Sequence, residues 1–189
     1  MGAWCCGLAR AAVSSHLLCM TEKTPPPSPI RETDEEARQI VRDLLGTFQH
    51  AVLAVNDAET GFPMTSRIAL VQGPDATPVS LISDLSHHTE ALKRDGRCSV
   101  LIGEPGPKGD PLTHPRLTLQ ARARFLRKGE AGHDDLRAHY LSHYPKAKLY
   151  VDFMDFSFVM FDTEVGHLNG GFGKAYCMTP QEMGLPERS

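Results

Sequence analysis

Long apolar runs are missing from this chain of 189 residues: no stretch approaches the roughly 18 residues that a membrane-spanning helix requires. An excess of one charge is missing too. Twenty basic and 23 acidic residues leave a net charge of −3, which supplies no bulk attraction to nucleic acid or to an anionic membrane. No cysteines stand at CxxC or other zinc spacing, and Cys5, Cys6 and Cys19 cluster near the N-terminus, leaving Cys98 and Cys177 in the body. Reduced thiols and a cytoplasmic location are the expectation. The P-loop, the GxSxG elbow, HExxH and a GxGxxG after a first strand are all absent. Phosphate cradling by a P-loop, serine-elbow hydrolysis and zincin chemistry are thereby excluded. No internal repeat is visible.

Residues 1–19 lack the compact apolar segment of a secretory signal, because Ser14, Ser15 and His16 interrupt it. Met20 opens an ordinary polar lead-in and is read as the translation start. Pro25, Pro26, Pro27 and Pro29 keep that lead extended. The expected organisation is a flexible extension over 1–32, one domain over 33–180 and a short tail over 181–189.

Hydrophobic periodicity then sets the elements. Thr33 with Glu36 reads as a capping box, and Ala37, Ile40, Val41, Leu44 and Leu45 recur at helical spacing. From His50 the period shortens to two. Strands are expected over 51–55, 65–71, 79–83, 98–102 and 116–126, with helices over 86–94 and 130–142. Phe156, Phe158 and Met160 alternate with small or polar residues in a final strand region. Six strands joined mostly by turns predict an antiparallel barrel with helices, an α+β fold, rather than a doubly wound sheet.

Chemistry-bearing residues gather in three places. The run Ser83-Asp84-Leu85-Ser86-His87-His88-Thr89 joins a strand end to a helix start, where free N–H groups favour an anion, and its hydroxyls and imidazoles add donors. Arg67, and likewise Arg116 and Arg122, interrupt otherwise apolar strands and must face solvent or an anion. Near the end, Gly170-Gly171-Phe172-Gly173 brings backbone close to something flat or into positive φ. His139 and His143 share a helix face but lack a third metal ligand nearby.

Taken in order, these features resemble the pyridoxamine-5′-phosphate-oxidase-like FMN-binding split-barrel family, and most closely its haem-utilisation branch. The resemblance runs from about Glu35 to Met178. It rests on the leading helix, Ser-x-x-Ser-His-His-Thr, Cys98-Ser99-Val100-Leu101, Pro-Arg-Leu-Thr-Leu at 115–119, Tyr140 to Pro145, Asp-Phe-x-Phe and Gly-Gly-Phe-Gly-Lys-Ala. It implies a six-stranded antiparallel split β-barrel that binds FMN at a homodimer interface and acts on a small-molecule substrate. By that likeness Arg67, Ser83, Ser86, His88 and Thr89 would hold the phosphate, Arg116 would approach the flavin ring, and Gly171 and Phe172 would lie near the pocket. The oxidase's C-terminal Arg-Leu-His substrate motif is absent. In the haem branch a histidine commonly follows the Gly-Phe-Gly run. Tyr176-Cys177 stand there instead, so His167, Tyr176 or Cys177 would be the iron ligands if haem is bound. An FMN-dependent oxidoreductase, a haem-binding or haem-degrading protein and a non-catalytic ligand-binding barrel are the three resulting expectations.

Overall fold

The computed structural model describes residues 30–187; the expected start at Met20 lies outside them. The order is β1 (Ile30–Arg31), α1 (Glu35–Thr47), β2 (His50–Asn56), β3 (Pro63–Ala69), β4 (Val71–Gln72), β5 (Pro78–Ser83) and α2 (His87–Arg94). Then come β6 (Arg97–Ile102), β7 (Arg116–Leu126), α3 (His133–His143), β8 (Phe156–Asn169) and β9 (Ala175–Met178). No helix among the described residues is long and apolar enough to cross a membrane.

The α+β split-barrel expectation holds, with nine strands among the described residues rather than six. The main path runs β1-β9-β8-β7-β6-β2-β3, while β5 pairs with β8 and β4 with β5. The sheet is not closed: beyond β2, β3 pairs with no other strand among the described residues, and on the side away from β8 β5 is paired only by the two residues of β4. The expected continuous strand over 65–71 is broken at Leu70. That residue is fully buried and turns its amide to the Gln49 carbonyl. The pairing of β1 with β9 is parallel, unlike the rest of the sheet.

Two helix starts also move. Asp34, not Thr33, caps α1, its carboxylate accepting from the Ala37 amide at 2.8 Å. Both residue types cap well, and Asp34 is the one with extended backbone directly before the helix. Helix α3 starts at His133 rather than Glu130, because Gly132 in left-handed conformation turns the chain just before it.

Strand alternation sorts the side chains into two cores. Leu53, Val100, Leu117, Leu119, Val159 and Phe161 point into the barrel, where Val41 of α1 and Leu92 of α2 join them. On the opposite side of β5 and the start of β8, Val79, Leu81, Phe158 and Met160 pack under α3 through Leu136 and Tyr140. After β9 the chain returns to the barrel, burying Met183 and Leu185. The outer face of β2, β3, β6, β7, the second half of β8 and β9 stays open to solvent. There Arg67, His167 and Cys177 are exposed and Val52 and Thr118 half-buried.

Candidate functional site

At the turn from β5 into α2, the backbone leaves donors free. The amides of Thr89 and Glu90 return to the Ser86 carbonyl, whereas those of His87 and His88 have no acceptor among the described residues. Ser86 occupies the N-cap position without a side-chain capping bond. The imidazole Nε2 of His88 is buried and unpartnered. Desolvation, aided by His87, pushes the His88 pKa below the usual histidine range, so the ring is neutral near pH 7.

The other two hydroxyls are already engaged. Ser83 Oγ donates to the Asp155 carboxylate at 2.5 Å and accepts from the Leu85 amide at 3.1 Å. Thr89, fully buried, donates to the Ser83 carbonyl at 2.7 Å. Asp155, legible in the sequence only as the start of the Asp-Phe-x-Phe motif and not as part of this turn, thus places a carboxylate beside it. Its position directly before Phe156 opens β8, and the Asp84 amide donates to its carbonyl at 2.6 Å. The outcome is a turn with two free amides and one free hydroxyl, a carboxylate opposing an anion, and the imidazole of His88 buried in the first turn of α2.

The His88 shift fixes the sign of a pH effect. Below the unfolded-state pKa the unfolded chain takes up a proton that the folded chain refuses, so stability must fall as pH drops through about 6.5. His88→Leu should flatten that acid slope in pH-dependent thermal melts; an unchanged slope would assign it to other groups.

Arg67 lies on the open face of β3 and makes no ion pair or hydrogen bond with a described residue. Arg116 is engaged: its Nη1 donates to the Leu112 carbonyl at 3.0 Å, holding the loop before β7. That loop meets the glycine-rich hairpin between β8 and β9. Gly171 has φ +116°, and a Cβ there would stand 3.1 Å from the Thr113 carbonyl. Phe172 caps the hairpin tip, 96 % exposed.

Strand register draws the distal candidates into one row. Arg67 pairs with Val52, Val52 with Leu101, Leu101 with Thr118, Thr118 with His167, and His167 with Cys177. With strands ~4.8 Å apart, the four steps from Arg67 to His167 span ~19 Å. Arg67 and His167 therefore do not meet over a single atom. Tyr176 does not belong to the row: it alternates to the opposite face and is buried in the barrel, its hydroxyl unpartnered. Of the three expected iron-ligating residues, the structure brings together His167 and Cys177 and separates Tyr176 from them. Tyr176→Phe should leave stability unchanged or raise it by about 1 kcal/mol, since it removes a buried, unpaired hydroxyl; a clear loss in denaturant unfolding would reveal a partner.

The two body thiols differ sharply. Cys98 is buried behind β6, and desolvation pushes its pKa up to about 12. Cys177 is exposed. Peptide mapping after brief alkylation of the folded protein should find Cys177 modified and Cys98 intact; equal modification would mean that β6 opens readily.

Comparison with known proteins places this geometry among relatives. No family model matches the chain. The non-canonical heme oxygenase HOZ, chloroplastic, of Arabidopsis thaliana is 29% identical over 157 residues, 82% of this chain. The chain spans 44% of that relative's length. The structure of a heme binding protein from Mycobacterium smegmatis is 26% identical with a TM-score of 0.68, covering 85% of this chain and 62% of that one. A Clostridium acetobutylicum protein of the pyridoxinephosphate oxidase family, related to general stress protein 26, shares the fold at a TM-score of 0.60. It is 18% identical, with 80% of this chain and 99% of that one covered.

Proposed function

Because this chain belongs to the pyridoxamine-5′-phosphate-oxidase-like split-barrel family, on the side of its haem-utilisation branch, we propose that it is a haem-binding protein that takes up haem on the open face of its sheet. The observation that carries this reading is the donor set of that face. His167 and Cys177, two residue types able to ligate haem iron, stand side by side on adjacent strands. Around them lie half-exposed aliphatic side chains, Leu101 at 36 % exposure with Val52 and Val165. Arg116, diagonal to His167 across β7 and β8, has only its Nη1 bonded to the loop carbonyls, and its Nε and Nη2 are available to a carboxylate. The names of the Arabidopsis and mycobacterial relatives point the same way. Bound haem iron would supply ligand binding and electron transfer, while the residues orient it and shield one side from water.

FMN is the second reading, favoured by the free His87 and His88 amides, the buried His88 nitrogen and the unpaired Arg67. In it the chain is an FMN-dependent oxidoreductase, and Arg67→Ala should weaken FMN binding by roughly 1.5–3 kcal/mol. Against it stands the Asp155 carboxylate at the same turn. In either reading a homodimer would cover the exposed aliphatic side chains of the sheet face. Leu101→Glu should then shift the sedimentation of the protein toward monomer.

The test is the ultraviolet–visible spectrum after incubation with excess hemin, or separately FMN, followed by desalting. Hemin retained near one per chain with a Soret band distinct from free hemin supports the haem reading. Retained FMN with hemin lost would replace it by the flavin reading. Loss of both would leave a barrel for some other ligand.

A further inference from the structure

On the premise of the haem reading, we propose that His167 is the residue that binds the iron, with Cys177 as a second donor that takes the iron when the imidazole is removed. The argument starts from the hairpin. The Gly170 amide donates to the Lys174 carbonyl at 2.7 Å, closing a three-residue loop and marking 170 and 174 as a hydrogen-bonded pair. Pairs alternate along an antiparallel ladder, so 168 with 176 is again bonded and 167 with 177 is non-bonded. Non-bonded pairs hold their Cα atoms ~4.5 Å apart with side chains at their closest. The imidazole and the thiol therefore rise from neighbouring backbones on one face.

Three features single out His167 as the ligand. It is exposed, and no hydrogen bond to a described residue occupies its ring. It is flanked by Thr118 on β7, whose small side chain leaves the approach open, and by Cys177 on β9. It also belongs to the long, central β8, paired on both sides, whereas Cys177 sits on the four-residue β9. Iron ligation needs a donor held in fixed orientation, and the more firmly held strand offers it. Tyr176 is removed from competition by its burial on the other face.

The experiment uses the full chain with hemin as probe, comparing wild type, His167→Ala, Cys177→Ser and the double variant by absorption and electron paramagnetic resonance spectra and by hemin titration. Both residues are exposed, and circular dichroism melts confirm that each variant folds. Wild type and Cys177→Ser should share an imidazole-type spectrum. His167→Ala should change to a thiolate-type spectrum and lose affinity by at least the roughly 10–100-fold that disturbing a metal ligand's support costs. The double variant should lose protein ligation altogether. If wild type binds hemin and His167→Ala keeps its spectrum, or Cys177→Ser alone abolishes it, the assignment is overturned. If wild type binds no hemin, the haem reading itself fails.

Discussion

Phe158→Ala is expected to lower stability by roughly 3–5 kcal/mol, among the largest effects of any single truncation in this chain. Phe158 is completely buried on β8. Its ring lies 5.3 Å from that of Tyr140 and 5.4 Å from that of His133, both on α3. Helix α3 has a weakly amphipathic sequence, and its buried residues are only His133, Leu136 and Tyr140. Its apolar attachment runs through this one cluster. The His139 hydrogen bond to the Gln72 carbonyl and the Arg137–Asp152 ion pair fix the helix in place, so it cannot settle into the cavity left by the ring. At roughly 2–4 °C per kcal/mol for a domain of this size, the melting temperature should drop by about 6–20 °C. Denaturant unfolding would show the loss as a lower midpoint. A loss under about 1 kcal/mol would mean that the second core contributes little. Because Phe158 faces α3 while His167 faces the open side of the sheet, ligand spectra of the folded variant should match wild type.

That separation of faces was half legible in the sequence. Period-two alternation alone puts Tyr176 and Cys177 on opposite sides of β9, and it places Arg67 opposite Ile68 on β3. The long β7 was readable to its ends, since Arg116 to Leu126 alternates without a breaker. What one strand's pattern does not contain is register. That Thr118 sits between Leu101 and His167 follows from pairing across three strands, and a slip of one residue would have reversed the face. The parallel contact of Ile30 with Ala175 joins chain segments far apart in sequence and leaves no local signal. The site at the β5–α2 turn was legible in its residue types and illegible in their engagement. Ser83 is a donor in any reading, but that its proton goes to Asp155 depends on β8 folding alongside β5.

Gly103→Ala should cost roughly 2–6 kcal/mol, the sum of about 1–3 for a forbidden backbone conformation and about 1–3 for overpacking. Gly103 has φ +113°, and a Cβ there would stand 2.6 Å from the Pro115 carbonyl and 3.0 Å from the Arg116 Cα. Both are backbone atoms at the start of β7, so the clash is relieved only by moving the strand whose Thr118 flanks His167. Gly166→Ala makes the informative contrast. Its Cβ would collide with the Met183 side chain, but the residue has no positive φ and the obstacle is a flexible thioether. That variant should lose only the overpacking part, about 1–3 kcal/mol. Parallel urea unfolding of the two variants checks the ordering. Gly103→Ala should also disturb the spectrum of any ligand held beside Arg116, whereas Gly166→Ala should spare it, because Met183 lies on the barrel side. Equal losses would show that the loop before β7 yields as easily as a methionine side chain.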